Sequence, residues 1–168
     1  MRRGEVGMDW TRVKQRAWQC AVVWLLLWPT VSCRTVAPLP AVNLTEPGWT
    51  LRQGQALWRS QRDAPELAGE VIFARHTSGR TLLQLTKNPL PFVTVQTSGE
   101  LWQVEFVPQK RRFSGKGVPT NRLLWVHLAR ALNGTTPPSP LKFEKSGADA
   151  FTLENPATGE RISGFLGQ

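Results

Sequence analysis

Leu101-Trp102-Gln103-Val104-Glu105-Phe106 alternates side-chain types, with Trp102, Val104 and Phe106 on one face and Gln103 and Glu105 on the other. A period of two marks a half-buried antiparallel strand, because successive side chains of an extended chain point to opposite faces. The stretch predicts a strand over residues 100–107, and the same reading repeats toward the N-terminus. Ser98-Gly99 turns the chain back into a strand over 92–97, and Asn88-Pro89-Leu90-Pro91 turns it again into 80–87. Thr77-Ser78-Gly79 leads to 67–76, where Gly69, Val71 and Phe73 share a face. The earliest strand is 51–59, with Leu51 and Leu57 on one face, Ala56 and Trp58 on the other, and a bulge expected at Gly54. Five strands joined by short turns make a meander.

Toward the C-terminus, Lys110-Arg111-Arg112 and Ser114-Gly115-Lys116-Gly117, with Phe113 between them, predict an exposed basic loop. Pro119 and Thr120 open a helix over 121–132, in which Leu124, Trp125, Leu128, Ala131 and Leu132 form one broad apolar face and Gly134 supplies the stop. Residues 135–140 form a proline-rich linker. Residues 141–145, 150–155 and 160–165 read as three more strands, the last two joined by Pro156-Ala157-Thr158-Gly159. Eight strands and one helix predict a mainly β domain with one helix, a curved antiparallel sheet with the helix on its concave side or across one open end.

The 168 residues allow one domain. Residues 1–32 stand apart from it. Arg2, Arg3, Arg12, Lys14 and Arg16 give a positive start, and residues 17–28 are uncharged and apolar except for Gln19. That run is shorter than the roughly 20 residues that cross a bilayer and matches a secretory signal, whether the chain starts at Met1 or Met8. Three prolines and no apolar period make residues 34–47 a tether, and the folded part is expected from Trp49 onward. Removal of residues 1–32 leaves 16 basic and 10 acidic side chains, a net charge of +6. Nucleic acid is not expected as a partner outside the cytoplasm, whereas anionic head groups, or solubility alone, account for the basic excess.

Little in the sequence carries chemistry. His76 and His127 fall in different elements without ligand spacing and are expected at the surface or rim, so neither a metal nor a cofactor is expected. No serine lies in a nucleophile elbow, and Gly115-Lys116-Gly117 lacks the spacing of a phosphate loop. Glu66, Glu70, Glu100, Glu105, Asp149, Glu154 and Glu160 are scattered over hairpins and predict a solvated sheet face. The rings are the informative feature. Trp58, Phe73, Phe92, Trp102, Phe106 and Trp125, with Val104 and Leu128, are either core or the lining of an apolar-ligand cavity.

Thr30-Val31-Ser32-Cys33 resembles the lipobox of bacterial lipoproteins, which implies cleavage before Cys33 and a lipid on its sulfur; otherwise Cys33 is an ordinary thiol or pairs with Cys20. Arg34, in place of aspartate after that cysteine, implies the periplasmic face of the outer membrane. Trp49, then Arg52-Gln53-Gly54-Gln55-Ala56-Leu57-Trp58-Arg59, then Glu66-Leu67-Ala68-Gly69-Glu70, resembles LolB-like and LolA-like lipoprotein localisation factors. Leu101-Trp102, Ser114-Gly115-Lys116-Gly117-Val118-Pro119 and the helix at 123–132 extend the resemblance. It implies an unclosed β-barrel with a helical lid, an apolar cavity for the acyl chains of lipoproteins or lipids received from a periplasmic carrier, and no enzymatic activity. It also implies a protruding loop at Leu90 and head-group contacts from Lys110, Arg111, Arg112 and Lys116. The alternative is a structural or interaction lipoprotein with a filled core and a docking surface; a hydrolase is a third reading.

Overall fold

The computed structural model describes residues 37–87 and 89–167; the expected signal and Cys33 lie outside them. The alternating stretches form nine strands: β1 (Trp49–Arg59), β2 (Glu66–His76), β3 (Thr81–Lys87), β4 (Leu90–Ser98), β5 (Leu101–Phe106), β6 (Arg111–Lys116), β7 (Lys142–Ser146), β8 (Ala150–Asn155) and β9 (Glu160–Leu166). Among the described residues one helix, α1 (Leu124–Leu132), lies between β6 and β7 in the chain. The strands make one antiparallel sheet in the order β6-β5-β4-β3-β2-β1-β9-β8-β7, so the sheet is not closed and β6 and β7 are its edges.

Ring contacts measure the curl of this sheet. Four strand spacings of ~4.8 Å separate β1 from β5, so in a flat sheet Trp58 and Phe106 would stand about 19 Å apart. Their ring centroids are 6.3 Å apart. Helix α1 packs against β3, β4 and β5 on one arm and β8 on the other, which also requires the sheet to wrap around it. The inner face is the core: Ala56, Val71, Phe73, Leu83, Leu85, Val93, Val95, Val104, Leu153 and Ile162 meet Leu124, Trp125 and Leu128 of the helix. At about 25 cal/mol per Å² of apolar surface, burial on this scale is the main stabilising contribution.

The structure corrects four sequence expectations. The basic loop is instead strand β6, so there are nine strands and not eight; Arg112 and Lys116 point outward beside Glu105 and Glu100, and the Trp102 indole packs over Gly115. The helix begins at Leu124 and not at Asn121. Residues before it are held by other bonds: the Asn121 carbonyl accepts from Asn155 Nδ2 and the Thr120 carbonyl from His127 Nε2. The bulge lies at Leu85/Thr86, which brings Phe92 inward, while Gly54 keeps regular register and lies against the Phe165 carbonyl of β9, where a Cβ would collide. His127 is buried, not at a rim. Helix α1 is thus apolar nearly all round, as an inserted helix must be.

Residues 37–48 pass back over the sheet. The Leu39 N–H donates to Gln103 Oε1 at 3.0 Å on the outer face of β5, Glu46 pairs with Arg80 at 3.0 Å, and the Pro47 carbonyl meets His76 Nε2. The segment therefore crosses from β5 to β1. Residues 36–168 together form one compact unit with the whole sheet, helix and core.

Candidate functional site: the aromatic interior and its mouth

Alternation, and for Phe92 the bulge in β4, place the eight expected lining residues on the helix side of the sheet or on the helix itself. Val104, Trp125, Leu128 and Phe73 are buried, and Trp58, Phe92, Trp102 and Phe106 are half-buried. The structure gathers four of them: Trp58 meets Phe92, Trp125 and Phe106 at centroid distances of 5.6, 5.8 and 6.3 Å. Phe106 continues the string to Phe113 at 6.4 Å, and Phe113 is 37% exposed at the free edge. Aromatic pairs at such separations contribute about 0.5–1.5 kcal/mol beyond their burial. Trp102 stands outside the cluster because its ring covers Gly115. The interior is filled by its own rings, from the helix out to a half-exposed mouth.

Two recesses occur elsewhere, and none of the eight residues lines either. A groove of about 700 Å³ crosses the outer face, lined by Leu57, Ala68, Pro89 and Phe165 with Gln55, Glu70, Thr86 and Lys87. A hollow of about 620 Å³ lies between residues 134–137 and β7.

Glu160, expected on the solvated face of the sheet, is instead turned inward. It opens β9 two residues before Ile162, and that parity with a core position is the signal that turns it inward. The carboxyl is 9% exposed and accepts a bond from Trp58 Nε1 at 3.0 Å. Burial raises its pKa to about 7, with the Trp58 bond opposing the shift. Its cross-strand partner Asn155 is buried and donates to the Asn121 carbonyl at 3.1 Å, so β8, β9, β1 and the approach to the helix meet here. His127 titrates low because of burial, and the carbonyl opposite Nε2 requires that nitrogen to carry the proton. Trp125 Nε1 and Trp102 Nε1 are buried without hydrogen-bond partners.

Leu90, 68% exposed, opens β4 opposite Lys87. Val107 N donates to the Phe92 carbonyl, which brings the β3–β4 and β5–β6 hairpins to one end of the sheet. Lys110 turns the second hairpin at φ 51°, Arg111 stacks 5.3 Å from the Phe113 ring, and Arg112 pairs with Glu105 at 2.7 Å. Lys116 closes the other end of β6, 3.5 Å from Glu100. Leu90 and Lys110 to Arg112 therefore share a tip, and Lys116 does not. No protein-family model matches the chain, and no curated protein does.

Proposed function

We propose that this chain is an exported lipoprotein, anchored through Cys33 at the periplasmic face of the outer membrane, whose curled sheet shields acyl chains without catalysing a reaction. The observation that carries the reading is the half-exposed string Trp58–Phe92–Phe106–Phe113 at the mouth of a helix-filled half-barrel. An entering chain exchanges ring–ring contact for ring–methylene contact. Each methylene taken from water contributes about 0.8 kcal/mol, so uptake and release need no other energy source. The partnerless indole N–H groups of Trp102 and Trp125 give the closed packing an uncompensated cost of about 1–3 kcal/mol each. The tip with Leu90 and the cations Lys110, Arg111 and Arg112 suits a head-group surface. The LolB-like sequence pattern gives the same direction to the reading.

A second reading is favoured by the filled interior: an envelope interaction protein that uses the scaffold only to present a surface. The two part on ligand content. Residues 36–168 are purified, co-purifying lipid is identified by mass, and an alkyl-chain fluorescent probe is titrated. The shielding reading expects one bound chain per domain and at least tenfold weaker probe uptake in Phe106→Asp, given the loss of about 1.4 kcal/mol or more of apolar contact. Absence of lipid together with absence of uptake selects the interaction reading. The mass of the Cys33 peptide from membranes tests the anchor separately.

A further inference from the structure

We propose that Glu160 is a proton-controlled latch on the aromatic mouth: neutral, it lets Trp58 close on Phe92, Phe106 and Trp125; ionised, it opens the mouth to water and so to an acyl chain. The inference deepens the acyl-chain reading and rests on it. Trp58 is the hub of the ring cluster, touching three other rings, and its only polar atom is held by this carboxyl. Whatever moves the Glu160 side chain therefore moves the ring that closes the mouth.

The surroundings explain why ionisation moves it. Trp58 faces Glu160 from β1, Asn155 faces it from β8, and the Thr158 hydroxyl of the adjoining turn accepts from the Glu160 backbone N–H. None of these is a cation. The nearest charged residues along the strands, Arg59, Arg161 and Glu154, stand at positions of opposite parity and so on the outer face. Arg62 reaches over the β8–β9 turn to the Pro156 carbonyl. A buried carboxylate without a counter-ion is unfavourable unless water reaches it. Glu160 begins β9 after a turn whose tip, Ala157 and Thr158, is exposed while Gly159 is buried against Arg62, so movement of that turn away from Arg62 hydrates the carboxylate. The Trp58 bond favours the ionised carboxylate, so Trp58 follows it outward, which loosens its contacts with Phe92 and Phe106.

Raised burial places the switching point near neutrality, at about 7. The test uses residues 36–168 and an uncharged probe, N-phenylnaphthylamine, whose own protonation is constant over the range. Wild-type uptake should rise about tenfold between about pH 5.5 and about pH 8.5, with a midpoint near that of Glu160. Glu160→Gln should stay at the low-pH level throughout. Measurable uptake that stays flat with pH in the wild type, or an identical rise in the variant, overturns the latch. If the wild type takes up no probe at any pH, the shielding reading fails; the latch is then judged by acrylamide quenching of tryptophan. Quenching should increase through the same midpoint in the wild type only, and pH-independent quenching overturns it.

Discussion

Single residues set opposite pH responses in this domain. Glu160 has a folded-state pKa of about 7 against 4.5 for the free side chain, so the folded state binds the extra proton. Its stabilising contribution is complete below about 4.5 and is lost as pH rises through about 7, about 3 kcal/mol in all. Glu160→Gln should therefore gain about 2–3 kcal/mol in urea unfolding at about pH 8.5 and be nearly neutral at about pH 4. His127 works the other way: burial lowers its pKa, so its contribution is present above 6.5 and lost as pH falls below that value. No pH keeps both contributions whole, and between about 4.5 and 6.5 the two trends oppose each other. Close approach makes two glycines equally specific. Gly54→Ala must separate β1 from the Phe165 carbonyl and should destabilise by about 2–3 kcal/mol, while Gly115→Ala must displace a side chain, the Trp102 ring, beside a free strand and should lose about 1 kcal/mol. Denaturant midpoints of the two variants check that ranking.

At the scale of elements, the helix is the most sensitive part. Leu128 is fully buried within the curl, and Leu128→Ala should cost about 2–5 kcal/mol, whereas Phe113→Ala at the edge should fall under about 1 kcal/mol; thermal unfolding distinguishes them. The strands β1 to β5 and β7 to β9 were legible because their apolar residues alternate. Strand β6 was not, since Arg111, Arg112, Gly115 and Lys116 supply no apolar face of their own and the pairing depends on β5 and the Trp102 ring. The first turn of the expected helix was lost for a similar reason: Thr120 and Asn121 bond to His127 and Asn155, partners that propensity does not register. Alternation also identified the inward-facing rings, but not that they would meet one another across four strands, because curl is a property of the whole sheet. Residues 37–48 carry no period, although Ala74, Leu82 and Gln103 are buried on the outer face and Gln103 holds Leu39 of that segment.

For the molecule as a whole, the unclosed sheet concentrates stability in its middle. Strands β2 to β4 pair on both sides and bury Val71, Leu83, Leu85, Val93 and Val95 fully, while β6 and β7 pair on one side only. Amide hydrogen exchange should be slowest at Val71, Leu83, Leu85 and Val95 and fastest along β6 and β7; uniform protection across all nine strands would contradict this. Both edges are cationic, through Arg111, Arg112 and Lys116 on one and Lys142 and Lys145 on the other, which disfavours edge-to-edge association of two copies. The placement of β9 beside β1 has a further effect on timing. Gly54 waits for Leu166 and Arg59 for Arg161, so β1 has a missing neighbour until β9 has been made. Closing that gap pairs residues more than 100 apart in sequence, a contact of the slow-forming kind, so β1 stays open on one flank while the β1–β5 meander is already able to form.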